Sequence, residues 1–178
     1  MKNFCITFLL LFIIFLTAGC QSAQGLKQTK DETEFLRIHV RANSNSEEDQ
    51  SIKYCIKDEI VKYLTPSLAQ CHTKNDAAEV IASKKQTLEY IINGILQDNG
   101  LKYSSRISLR NEKFPTRVYG EFTLESGYYD AVIVELGEAK GDNWWCVVYP
   151  PLCFTGGENV KYSSLILKVI EEFKQKFS

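Results

Sequence analysis

The apolar residues of this chain change their spacing once, around Asn99-Gly100, and that change constrains the fold more than any other feature. Before it, Ile52, Ile56, Ile60 and Leu64 recur at every fourth position, the pattern of a single buried helix stripe. The spacing predicts a helix over Glu47–Leu64, entered through an Asn43–Ser46 turn and a Ser46/Asp49 capping box and stopped ahead of Pro66. Asn75 or Thr73 caps a second helix, whose apolar set is Val80, Ile81, Leu88, Ile91, Ile92 and Ile95. Gly100 ends it, as a glycine just past a helix should. Beyond that point Leu101, Tyr103, Ile107 and Leu109 alternate with polar residues, and Arg117–Leu124 reads as a further strand. Glu125-Ser126-Gly127 turns the chain into a strand whose centre, Ala131–Val134, is apolar on both faces and therefore internal to a sheet. Asn143–Tyr149 is another strand, ended by Pro150-Pro151, and Ile166, Val169, Ile170, Phe173 and Phe177 return to helical spacing. Ahead of both helices, Phe35–Val40 is a strand with Phe35, Arg37, His39 and Arg41 on one face and Leu36, Ile38 and Val40 on the other. The sum is an α+β fold: one two-layer domain, with an antiparallel-rich sheet of four or five strands packed against about three helices.

Residues 1–20 place that domain outside the cytoplasm. Lys2 precedes an apolar run from Phe4 to Leu16, and the small residues Ala18 and Gly19 follow. This is the charged start, apolar middle and small-residue exit of an export signal. The run is about 13 residues, short of the roughly 20 that cross a bilayer as a permanent helix. Leu16-Thr17-Ala18-Gly19-Cys20 also resembles a bacterial lipobox, which would acylate Cys20; plain cleavage is the alternative. Residues 21–34 are polar and aperiodic and read as a flexible linker, with a reach of roughly 46–50 Å when fully extended. Residues 35–178 form the single domain. Its charge is balanced, with 21 basic and 22 acidic side chains in the whole chain and no long basic run, which argues against a nucleic-acid partner.

Export decides what the cysteines are. Of the six, Cys5 and Cys20 belong to the signal region, leaving Cys55, Cys71, Cys146 and Cys153. In an exported chain these read as disulfides before metal ligands or nucleophiles. Three pairings are open, and short spacing favours Cys146 with Cys153 and Cys55 with Cys71. Unstrained, those closures contribute roughly 2.5 and 3 kcal/mol. Zinc has little support: there is no CxxC, and His39 and His72 lie in different segments. No metal or cofactor is expected.

Both tryptophans of the chain fall in Asn143–Phe154, NWWCVVYPPLCF. In a strand, Trp144 and Trp145 point to opposite faces, so one indole enters the core and the other is available to whatever covers that face. A Cys146–Cys153 bond would lock the proline reversal beside them. A rigid loop bearing aromatics suits an interface, because tryptophan is enriched among binding hot spots.

The stretches LRIHVRANSNSEEDQ, FPTRVYGEFTLESGYYDAVIVELGEAKGDNWWCVVYPPLCF and the exported N-terminus together resemble the stage II sporulation protein R family. The resemblance covers nearly all of the domain. It implies a signal of endospore formation, made in the forespore and exported into the space between the two septal membranes. There such proteins switch on a membrane-embedded aspartic protease of the mother cell, which removes the pro-sequence of the sigma-E precursor. The role implied is that of an activating ligand and not of an enzyme, and a lipid on Cys20 would hold it on the forespore membrane.

The resemblance supplies no contact residues, so the candidate surface comes from the residues themselves. His39, Asn43, Asp49, Gln50 and Lys53 offer varied polar groups at a strand-to-helix junction. Arg117 and Tyr119 follow a proline-stiffened corner, with Glu121 or Glu135 as candidate partners for Arg117. With Asn143, Trp144 and Trp145 they are expected to converge on one edge and contact the receptor. Two other classes stay open. His39, Ser44 and Asp49 carry the residue types of a hydrolytic triad, without a GxSxG or HExxH motif beside them. A cell-wall-binding lipoprotein would also be exported and rich in aromatics.

Overall fold

A computed structural model describes residues 34–120, 122–154 and 160–177. The export signal, lipobox and linker lie outside the described residues, apart from Glu34. The described chain runs β1 (Leu36–Arg41), α1 (Glu47–Leu68), α2 (Lys74–Asp98), β2 (Ser105–Phe114), β3 (Arg117–Tyr119), β4 (Phe122–Leu124), β5 (Gly127–Leu136), β6 (Asn143–Tyr149), a single 3-10 turn at Leu152–Phe154, and α3 (Val160–Phe177). None of its helices is long and apolar enough to cross a membrane.

Four strands form the main sheet in the order β2-β5-β1-β6. The fold is α+β as expected, but the sheet is mixed. β1 runs parallel to β5, while β1–β6 and β2–β5 are antiparallel. The reason lies in the connection. Parallel neighbours need a long crossover, and α1 and α2 both lie between β1 and the strands that follow. As Ala131–Val134 implied, β5 is internal, and Ala131, Val132, Ile133 and Val134 are all 1% exposed or less. The expected Arg117–Leu124 strand is instead a hairpin. Gly120 takes φ +58, a left-handed turn that glycine adopts without steric cost, and β3 and β4 pair only with each other.

Leu36, Ile38 and Val40 meet the stripes of α1 (Ile52, Ile56, Ile60, Leu64) and α2 (Ala77, Ile81, Leu88, Ile92) in one core. Thr73 and not Asn75 caps α2, through a reciprocal capping box with Asp76. The first helix does not stop ahead of Pro66 but runs on to Leu68. Pro66 lacks an N–H and lowers helix stability by about 3 kcal/mol in a helix interior, yet here it sits in the last turn. Thr65 and Leu68, both buried, hold that turn on the core, an example of burial overriding propensity.

Cys146 and Cys153 are bonded across the Pro150-Pro151 reversal. The expected Cys55–Cys71 bond is not formed; both are free thiols, Cys55 exposed and Cys71 buried. Cys55 and Leu68 stand about 20 Å apart along the same rigid helix, whereas a disulfide needs Cα atoms within about 7 Å. The Cys71 thiol instead donates to the Ser67 carbonyl at 3.4 Å. Burial, with Asp76 nearby, pushes its pKa up to about 11. Alkylation of the native protein near neutral pH is therefore expected to label Cys55 and to spare Cys71 until the chain unfolds. Mass mapping checks this; equal labelling of both would contradict the placement of Cys71.

Candidate functional site

Strand β1 is internal to the sheet, with β5 and β6 at its edges, and the part of its non-helix face around Arg37 and His39 is covered by the Phe114, Tyr119, Tyr129 and Trp145 side chains. Arg37 and His39 are 0% and 1% exposed, and the expected polar surface is displaced by that fact. The face opposite α1 and α2 carries Arg37, His39 and Arg41, each met by a different set of groups. Arg41 donates from Nη2 to Glu112 Oε1 at 2.6 Å and from Nη1 to Glu135 Oε1 at 3.1 Å. Arg110 closes the cycle from the far side, its Nη2 lying 3.1 Å from both Glu112 Oε2 and Glu135 Oε1. Two guanidinium groups and two carboxylates thus alternate across β1, β5 and β2.

His39 lies against this cluster. Its Nδ1 is 2.7 Å from Glu112 Oε1, and the Trp145 indole stacks on the imidazole with centroids 3.6 Å apart. Phe114 meets both rings edge-on. The stack follows from register, since His39 and Trp145 are direct partners across β1–β6, as are Arg41 and Asn143. Burial lowers the His39 pKa below its ordinary 6.5, against the opposing pull of Asn143 and Glu112 and with help from the Arg41 charge. A neutral imidazole then donates from Nδ1 to the Glu112 carboxylate. Because the folded-state value is depressed, the stability this group contributes is complete above about 6.5 and is lost as pH falls through the folded value. Urea melts are expected to show stability falling on acidification below about 6.5, with a shallower fall in His39→Gln. Identical profiles for the two proteins would contradict a buried neutral His39.

Asp49 is the hub of a second network. Its Oδ2 accepts from the Asn43 amide at 2.9 Å and the Ser44 hydroxyl at 2.5 Å, while Tyr103 donates its hydroxyl to Oδ1. Burial would raise the Asp49 pKa, but hydrogen bonds from Ser44, Tyr103, Asn43 and Ser46 outweigh it and hold the carboxylate below its ordinary range. The same turn grips residues 138–142. Asn43 Oδ1 accepts from the Glu138 amide at 2.9 Å, and Asn45 Oδ1 from the Asp142 amide at 2.6 Å. Gly141 permits this approach, since a Cβ there would lie 2.1 Å from the Ser44 carbonyl oxygen. Lys53 is 1% exposed; its Nζ donates to Gln50 Oε1 at 2.6 Å and the Asp142 carbonyl at 3.1 Å. Asp142 leads directly into Asn143-Trp144-Trp145. The junction therefore positions the tryptophan strand from beneath. Asp49 and Lys53 are supports and not contact groups as they stand, because the helix stripe that buries Ile52 and Ile56 brings them under the loop.

Ser44 and Asp49 are thus joined directly, and no hydrogen bond links His39 to either, so the triad order of hydroxyl, imidazole and carboxylate is absent from this arrangement. Among the described residues no group of three or more His, Cys, Asp and Glu side chains could hold a metal.

Of the other predicted residues, Asn143 is exposed, and Trp144 and Trp145 are both half-buried, so neither indole enters the core as one was expected to; both pack against its margin. Trp144 points to the helix side, with Lys57 Nζ 5.9 Å from its ring. Tyr119 reaches the same face as His39 by accepting from Arg37 Nη2 at 2.9 Å. Arg37 is otherwise enclosed by Phe114 and Tyr129, at 4.2 and 4.8 Å from its guanidinium carbon. Arg117 is exposed and donates to the Thr116 carbonyl. Glu135, one expected partner of Arg117, is taken by Arg41 and Arg110; the other, Glu121, lies outside the described residues. The face so built carries Trp145, Asn143, Arg41, Arg110, Glu112 and Glu135. An open groove of about 1080 Å³, whose lining includes Asn43, Tyr103, Arg106 and Glu135, adjoins it. Sequence reasoning had placed Arg37, His39 and Arg41 on one face; it missed Glu112, Arg110 and Tyr103, which belong to strands or loops distant along the chain.

Residues 32–159 match the family model described as stage II sporulation protein R. Over 163 residues the chain is 31% identical to stage II sporulation protein R of Bacillus subtilis (strain 168), covering 85% of this chain and 73% of that protein. No solved structure matches.

Proposed function

The chain belongs to the stage II sporulation protein R family, and from that premise we propose that it is an exported signal of sporulation that activates a membrane-embedded aspartic protease of the mother cell. The protease then cleaves the sigma-E precursor; this chain supplies a docking surface and performs no chemistry. Its place of action is the space between the forespore and mother-cell membranes, reached through residues 1–20 and, if Cys20 is acylated, held there by lipid. The linker lets the domain stand off from its own membrane.

One observation carries the reading. Trp145 is half-exposed yet already fixed, stacked on a buried imidazole that is itself held by Glu112. The ordering entropy of a large aromatic side chain is thereby spent on folding and not on binding, which is how a hot-spot residue gains affinity. Around it the alternating Arg41, Glu112, Arg110 and Glu135 charges provide a polar rim.

The test is co-expression of the candidate protease and its precursor with and without this chain. Cleavage only in its presence supports the reading. Cleavage independent of it, or retention of the chain on purified peptidoglycan with no effect on the precursor, contradicts it and favours the cell-wall-binding class.

A further inference from the structure

Strand β2 is an edge of the sheet, pairing only with β5 through an uninterrupted ten-residue ladder. In an antiparallel ladder alternate residues turn their backbone groups to the partner strand or away from it. Those of Ser105 and Ile107 turn away, and α2 covers them. Asn93 Oδ1 accepts from the Ser105 amide at 2.7 Å, and Glu89 Oε1 from the Ile107 amide at 2.7 Å. Leu109, Asn111 and Lys113 share that outward parity. Among the described residues no acceptor is seen for their amides, and Leu109 is 37% exposed. Half of this edge is thus blunted by side chains, and half is open, without proline or bulge.

We infer that the open half, Leu109–Lys113, pairs with the same strand of a second copy of this chain, around a two-fold axis at Asn111. The charges choose that occupant and that register. A two-fold at Asn111 sets Arg110 opposite Glu112 of the second copy, and Glu112 opposite its Arg110, as close non-hydrogen-bonded pairs. Leu109 then lies against the aliphatic stem of the second Lys113. A two-fold at Leu109 would need the Ile107 amide that Glu89 already holds, and one at Lys113 would set two lysines face to face. The pairing completes the ladder on both sides and joins two four-stranded sheets into one. It also places two copies of the Arg41–Glu112–Arg110–Glu135 face side by side. The inference is independent of the receptor reading.

The experiment uses the exported chain with its own linker, in a Cys55→Ser background so that the exposed thiol is removed. Sedimentation equilibrium is expected to show a monomer–dimer equilibrium. Asn111→Pro removes one outward amide at a position where an edge strand tolerates proline; it is expected to weaken the dimer at least about tenfold, with circular dichroism unchanged. Asn111→Cys is expected to cross-link to itself under mild oxidation, whereas Leu109→Cys, facing Lys113, is not. A chain that stays monomeric at high concentration, or a dimer that neither weakens with Asn111→Pro nor cross-links at position 111, overturns the proposal. A monomer whose signalling is lost in Asn111→Pro also overturns it, and assigns the edge to an extended segment of another protein.

Discussion

Trp145→Ala is expected to abolish precursor cleavage in the co-expression assay while leaving a folded chain. The indole is half-buried, so its removal strips the stack from His39 and the edge contact with Phe114 without emptying a core cavity. The expected stability cost is about 2 kcal/mol, below the 3–5 kcal/mol of a fully buried aromatic. A domain with roughly 5–15 kcal/mol of stability survives that loss. The functional cost is larger, because truncating a central hot-spot aromatic commonly weakens binding by about 2 kcal/mol or more, some thirtyfold. It also leaves the His39 ring uncovered. Trp145→Phe, which can keep part of the stack, should signal at an intermediate level. Tyr90→Ala, at an 80% exposed position on α2 away from this face, should signal normally. Normal cleavage with Trp145→Ala would show that the receptor does not read this face.

Asp49→Ala is expected to give the largest loss of stability, about 3–5 kcal/mol in urea unfolding. Asp49 is 4% exposed and accepts from Asn43, Ser44 and Tyr103 at once. Its removal strands three donors, and the turn they hold carries the residue 138–142 loop through Asn43 and Asn45. The damage should therefore reach Trp144 and Trp145, and near-ultraviolet circular dichroism should change with it. Asp49→Asn should fare little better, because one carboxylate oxygen becomes an amide donor aimed at groups that themselves donate. As the folded-state pKa is depressed, the carboxylate's contribution is present above its ordinary 3.8 and is lost as pH falls through the lower folded value. A cost below about 1 kcal/mol would mean that the hub contributes little and that water replaces it.

The two functional elements differ in how far they could be read along the chain. Ser46, the Asn43–Ser46 turn and the start of α1 are local, and the structure keeps the turn and the Ser46 N-cap. The reciprocal half of the expected capping box is not formed, because the Ser46 amide donates to Ser44 Oγ and the Asp49 carboxylate turns to Asn43, Ser44 and Tyr103. The bond from Cys146 to Cys153 closes a span of seven residues, short enough for neighbours in sequence to become neighbours in space. The Cys55–Cys71 expectation failed on that same logic, because a helix between two cysteines acts as a spacer and not as a flexible loop. Pro66 misled for a related reason: a helix breaker is judged by local propensity, whereas buried Leu68 answers to the core.

Periodicity and capping, which depend on residues within a turn or two of each other, were enough to read the α+β class, both core helices, the central apolar strand and the opposite orientations of the two indoles. What only the folded chain decided was which strand lies beside which. Glu112 is 73 residues from His39, and Glu135 is 94 from Arg41. Their meeting depends on β5 slotting between β2 and β1, with β1 parallel to it. Strand order is settled by the free energy of burying all the apolar faces together, and no window of sequence contains that sum.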